Sequence, residues 1–117
     1  MSLWLVRGDQ YGQYQELALD NGFAYVGFVE VADLSEAKAR EAVFDLCRKA
    51  YEDASEASLR NFGTQLFSFA HRIQKDDLVA MPLRSRPQIA IGLVTGPYQY
   101  RTDLGEIRHT RPVKWIK

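Results

Sequence analysis

Apolar residues recur with two different periods along this chain. From Ala39 to Tyr51 they fall three and four apart: Ala39, Val43, Phe44, Leu46, Cys47, Ala50 and Tyr51. From Leu59 to Ile73 the same spacing runs through Leu59, Phe62, Leu66, Phe67, Phe69, Ala70 and Ile73. Both stretches predict helices with one buried face. Asp33-Leu34-Ser35-Glu36 reads as the start of the first, with Asp33 or Ser35 as its cap, and Ser55 is the candidate cap of the second. Gly63 weakens the second helix by about 1 kcal/mol relative to alanine. A shorter helical pattern, Tyr11 to Asn21, ends at Asn21-Gly22, where glycine takes the left-handed conformation without a Cβ penalty.

Other segments read as strands. Ile89 to Val94 is the best of them: it is β-branched, bends at Gly92 and closes before Pro97. It lies inside Met81–Arg101, the stretch around which the chain is organised, with Arg84 and Arg86 before it and Tyr98, Tyr100 and Arg101 after it. Ser2 to Arg7, Phe23 to Val31 (bulged at Gly27) and Leu78 to Leu83 are further strands. Ile107 to Ile116 reads as a final edge strand, because Pro112 cannot donate to a ladder. Lys75-Asp76-Asp77 and Arg101 to Glu106 read as turns. This order predicts an α+β fold: a curled, mostly antiparallel sheet or small β-barrel with helices packed to one side. Nothing in residues 1–117 reads as a repeat, low-complexity tract or linker, so a single domain is expected.

Charge changes this picture more than composition does. The formal net charge is zero, but the first 57 residues hold five Lys/Arg against eleven Asp/Glu, and the remainder ten against four. Such asymmetry hints at a polyanion partner, unless the two halves interleave and cancel. Cys47 is the only cysteine, which fits a reducing cytoplasmic compartment, and its helical position suits a small core residue. No apolar run is long enough to span a membrane.

Catalytic patterns are missing. His71 and His109 lack partners at zinc-ligand spacing, and no nucleophile elbow, phosphate loop or dinucleotide fingerprint is present. His71 reads as core or surface filler; His109, between Arg108 and Thr110, suggests solvent or phosphate contact. The chain therefore reads as a binding module rather than an enzyme, with no metal or cofactor. Arg7, Arg84, Arg86, Arg101, Arg108 and Arg111, with Lys114, form a basic set able to neutralise phosphates, or else a solvated strand face. Trp4, Phe28, Phe62, Tyr98 and Trp115, with Tyr11 and Tyr25 in reserve, form an aromatic set able to stack a base taken out of its helix, or else plain core. Asn61, Gln65 and Ser68 share one face of the third helix, where amide groups can read a base edge, although Asn61 also suits a cap.

The segments WLVRG (Trp4–Gly8), ADLS (Ala32–Ser35), NFGTQLFSF (Asn61–Phe69), DLVAMPLRSRPQIAIGLVTGPYQYR (Asp77–Arg101) and RHTRPVKW (Arg108–Trp115) resemble the N-terminal region of Mrr-type restriction endonucleases. There this region precedes a separate nuclease domain. The layout also resembles the PUA superfamily in its EVE/YTH-like branch. The resemblance implies a PUA-like recognition domain that directs a nuclease, in cis or in trans, to modified DNA. A methylated base would be flipped into an aromatic pocket of Trp4, Phe28 and Phe62, with Asn61, Gln65 or Ser68 reading its edge. Relatives carry tryptophan at the positions of Phe28 and Phe62; phenylalanine keeps a stacking face but lacks the indole donor. The nuclease motifs are absent. RNA is the alternative ligand, and a protein-interaction domain with the final strand as its assembly edge is the alternative class.

Overall fold

The computed structural model of the chain describes residues 2–8 and 12–116, so the expected helix start at Tyr11 lies outside the described residues. The elements are β1 (Leu3–Leu5), α1 (Gln15–Asn21), β2 (Phe23–Val26), α2 (Arg40–Ala50), α3 (Glu56–Phe67), a π-helical turn (Ser68–Arg72), β3 (Leu78–Pro82), β4 (Ile89–Val94), β5 (Gln99–Leu104) and β6 (Ile107–Trp115).

Two of the helix ends follow the sequence chemistry. Gly22, at φ 70°, closes α1 and returns its N–H to the Ala18 carbonyl. Ser55 caps α3 by accepting the Ser58 N–H at 3.1 Å. The Asp33 signal has a different outcome. Asp33 accepts both the N–H and the hydroxyl of Ser35, a local Asx turn, and α2 begins only at Arg40. The loop between β2 and α2 instead sets Val31, Leu34 and Ala37 into the core at three-residue spacing.

The sheet is mixed and open, in the order β1-β3-β4-β6-β2, with β5 also paired to β6. β1 and β3 run parallel; the other pairs are antiparallel. Two expectations are corrected here. The polar segment read as a turn, Arg101 to Glu106, instead supplies the second part of β5, which begins at Gln99 and pairs Leu104 with Ile107. The segment read as an edge is the most connected strand: β6 pairs with β2 on one edge, and with β5 and then β4 on the other. Pro112 is tolerated because its missing N–H falls where that second edge passes from β5 to β4. Its carbonyl still accepts from Thr95 N–H at 3.0 Å.

All four residues of β2 are buried. Ala24 and Val26 join the larger core with α2, α3 and the π turn; Phe23 and Tyr25 join a smaller cluster with Ala18, Met81 and Ile107. Neighbours on a strand point to opposite faces, so β2 divides the two clusters. Gly63 has a packing role. A Cβ there would overlap the Phe44 ring, so glycine is what lets α2 and α3 approach. Cys47 is fully buried in the same core.

Candidate functional site

A cavity of about 330 Å³ opens between β1, β2 and α3. Its floor is apolar: Val6, Val26, Phe69 and Ile73. One wall is the last turn of α3 and the start of the π turn, where Thr64, Gln65 and Ser68 present two hydroxyls and an amide. The other wall is Trp4 with the chain that follows it, ending in the exposed Arg7. Four of the residues singled out from the sequence therefore share one hollow: Trp4, Arg7, Gln65 and Ser68.

Trp4 is held in place from two sides. Its indole N–H donates to Asp77 Oδ2 at 2.9 Å, and the Arg72 guanidinium lies over its ring, 5.2 Å from the centroid. Asp77 also accepts the backbone N–H groups of Ser2 and Gln74, each at 3.0 Å. Those donors, with the Gln74 N–H foremost, hold the Asp77 carboxyl below its usual range. One buried carboxylate thus ties β1 to the turn before β3 and fixes the orientation of the ring.

The π turn shapes the end of the α3 wall. Ile73 N–H reaches back five residues to the Ser68 carbonyl at 2.9 Å. Arg111 then satisfies the carbonyls of this turn. Its Nη1 donates to Phe69 O at 3.1 Å and Ile73 O at 2.8 Å, and its Nη2 to Gly96 O at 3.0 Å. Arg111 is only 3% exposed, and burial pushes its pKa down. Its expected role on a phosphate gives way to this carbonyl-binding one.

The remaining arginines lie elsewhere. Arg84 and Arg86 sit on the loop before β4, and that loop is clamped to α1. The buried Gln15 accepts the Arg84 N–H at 2.7 Å and donates to Ser85 Oγ, and Arg86 lies 3.4 Å from Glu16. Arg101 pairs with Asp103 at 2.7 Å and covers the Phe23 ring, and Arg108 donates to the carbonyl of Gly105. Of the six arginines expected to hold a backbone, only Arg7 lines the cavity.

Phe28 and Phe62 meet each other rather than Trp4. Their centroids are 5.3 Å apart, and Tyr51 completes a trio at 6.4 and 5.4 Å. They border a separate, shallow depression with Lys49, Glu52 and Asp53. Phe28 has φ 61°, an uncommon value for a bulky side chain. Its carbonyl accepts from both Val31 N–H at 2.9 Å and His109 Nε2 at 3.1 Å. A carbonyl can only accept, so His109 Nε2 carries the proton and Nδ1 accepts from the Tyr98 hydroxyl at 2.6 Å. His109 is wholly buried and burial lowers its pKa, which corrects the solvent or phosphate contact expected for it. Asn61 is neither cap nor wall: it lies within α3 and accepts from Gln65 Nε2 at 3.2 Å. That contact leaves the Gln65 carbonyl free of it.

Three contributors escaped the sequence reading. Thr64 and Arg72 flank Ser68 at four-residue spacing, a signal that helical periodicity carried past Ser68 would have exposed. Asp77 reaches Trp4 across 73 residues, a link that no local pattern encodes. Among the described residues no three His, Cys, Asp or Glu side chains gather as a metal site requires. Among the described residues no helix is long and apolar enough to cross a membrane.

A family model described as a domain of unknown function (DUF8426) matches residues 4–117. The chain belongs to the DUF8426 family. That match takes in both walls of the cavity, from Trp4 onward, and all of the sheet but Leu3. No curated protein and no solved structure matches this DUF8426 chain.

Proposed function

We propose that the β1/α3 cavity receives a single nucleobase, and that this domain is the DNA-reading module of a modification-dependent restriction system. The observation that carries the reading is Trp4, an indole wall fixed by Asp77 and facing the donors and acceptors of Thr64, Gln65 and Ser68. A flat ring with a polar edge fits that combination: the indole stacks it and the amide and hydroxyls bond its rim. Arg7, at the edge, suits a phosphate beside the extruded base. The resemblance to the N-terminal region of Mrr-type endonucleases supports DNA as the ligand, a modified base as the target and a nuclease in cis or in trans as the partner. It also supports a PUA-like ancestry for the curled sheet. In this reading Phe28, Phe62 and Asn61 stand outside the pocket.

The test is binding to matched methylated and unmethylated duplexes, with single-stranded DNA and RNA of the same sequence as competitors. Trp4→Ala weakens binding roughly 5- to 150-fold, the range for one base–aromatic stack, whereas Phe28→Ala leaves affinity unchanged. A methyl group held in the dry floor adds about 0.8 kcal/mol, close to fourfold. Equal affinity for both duplexes removes the modified base from the proposal. Preference for RNA replaces its ligand, and no binding at low salt ends it.

A further inference from the structure

The sheet has a second surface with no place in that reading. Strand register sets it out in rows. Leu3 of β1 pairs with Leu78 of β3, which pairs with Leu93 of β4. In the next row Leu5 pairs with Ala80 and Ala80 with Ile91, and Ile116 N–H bonds the Ile91 carbonyl at 2.7 Å. Pro82 and Ile89 make the third row. The intervening residues Val79, Met81, Ala90 and Val94 are buried in the cores, so these rows share the opposite, outward face, on which only the small Ala80 is also covered. An antiparallel sheet with one wet face normally carries polar residues there. Here every residue of the rows on β1, β3 and β4 is apolar. Lys114, paired to Leu93, stands at the end of the first row.

The exposure is large. Leu3 is 63%, Leu5 59%, Ile89 55% and Ile116 62% exposed. With their part-exposed neighbours they form a patch of roughly 500 Å², at the upper end for a monomer surface. A stable interface buries about 800 Å² per partner, so this patch would form its apolar centre.

We propose that a second copy of this chain docks on this face across a two-fold axis. A surface with no side-chain donor or acceptor at its centre is complementary to itself, and a two-fold axis sets the same patch on both sides. Interfaces between different, separable proteins are no more apolar than ordinary surface, whereas homodimer interfaces are. The exposed Lys114, paired to Leu93, lies at the margin, where it stays hydrated. β1 carries Trp4 on its inner face and Leu3 and Leu5 on its outer face, so the dimer would brace the strand that bears the cavity's indole.

Sedimentation equilibrium of the full chain tests this. The wild type is expected to be dimeric at about 100 µM, and Leu3→Glu with Ile89→Glu to weaken dimerisation at least about 100-fold. Leu3→Thr with Ile89→Thr keeps strand propensity and serves if the glutamates disturb folding; it too is expected to shift the mass to monomer. Arg60→Glu, on α3, leaves the dimer intact. A wild type that stays monomeric at the highest concentration overturns the proposal, as does a dimer that survives both double variants, or a monomer that instead floats with lipid vesicles. The readout is mass, so the outcome is independent of nucleic-acid binding.

Discussion

Trp4 depends on a single carboxylate. Asp77 accepts three N–H groups, and its pKa is depressed by them. A depressed folded pKa means that the stabilisation is present above the unfolded carboxyl value of about 3.9 and is lost as the pH falls through the folded value. Acidification is therefore expected to release the indole. The measurement is tryptophan emission against pH: the wild type shows an acidic transition that Trp4→Phe lacks, and Asp77→Asn shows the released spectrum already at neutral pH. Trp4, Gln65, Ser68 and Arg7 were legible as chemistry in the sequence because such residue types are recognisable one at a time. The grouping of Phe28 and Phe62 with Trp4 was not: all three pack against the larger core, but Trp4 is placed by pairings more than 70 residues away, whereas Phe28 and Phe62 turn to each other and to Tyr51.

Elements explain two residues that look unfavourable alone. Gly63 is a poor helix former, yet the Phe44 ring occupies the place its Cβ would take. Gly63→Ala gains about 1 kcal/mol of helix propensity but overpacks the α2–α3 contact, so a net loss of about 1–2 kcal/mol is expected in urea unfolding. Phe44→Leu is expected to relieve it. Arg111 lies inside β6 because the π turn leaves carbonyls that need donors. Arg111→Met removes those donors and is expected to cost about 3 kcal/mol or more, read as a lowered midpoint in the same measurement. Helical periods, the Gly22 stop, the Ser55 cap and the β3 and β4 strands were readable because each rests on neighbours in sequence. β5 and the central position of β6 were not. Gln99–Leu104 is polar and half-exposed, and in IRHTRPVKW the buried residues include His109, Thr110 and Arg111, whose partners are distant carbonyls and a tyrosine.

Across the whole molecule, His109 joins segments that are remote in sequence: Nε2 to the Phe28 turn, Nδ1 to Tyr98, and through the Tyr98 oxygen to Leu34 N–H at 3.2 Å. Burial keeps this imidazole neutral by lowering its pKa. In the unfolded chain it titrates near the ordinary value of about 6.5. Between those two values the unfolded state binds the extra proton, so stability rises with pH; it is fully present above about 6.5 and declines as the pH falls towards the folded value. Thermal unfolding followed between mildly alkaline and mildly acidic pH is expected to show that slope, and His109→Gln to flatten it while lowering stability throughout. The first-half and second-half charges cancel locally in at least one place, where Arg86 meets Glu16. The charge asymmetry of the sequence is thus partly folded away.

β6 also governs the order of events during synthesis. Three strands made earlier, β2, β4 and β5, take their ladder partners from residues 107–115. Until that segment leaves the ribosome, the nascent polypeptide holds several bare hydrogen-bonding edges beside finished helices. Folding of this domain is thereby postponed until residues 107–115 have emerged and becomes slow, as distant pairings require. A chaperone that shields exposed strands would act during this interval.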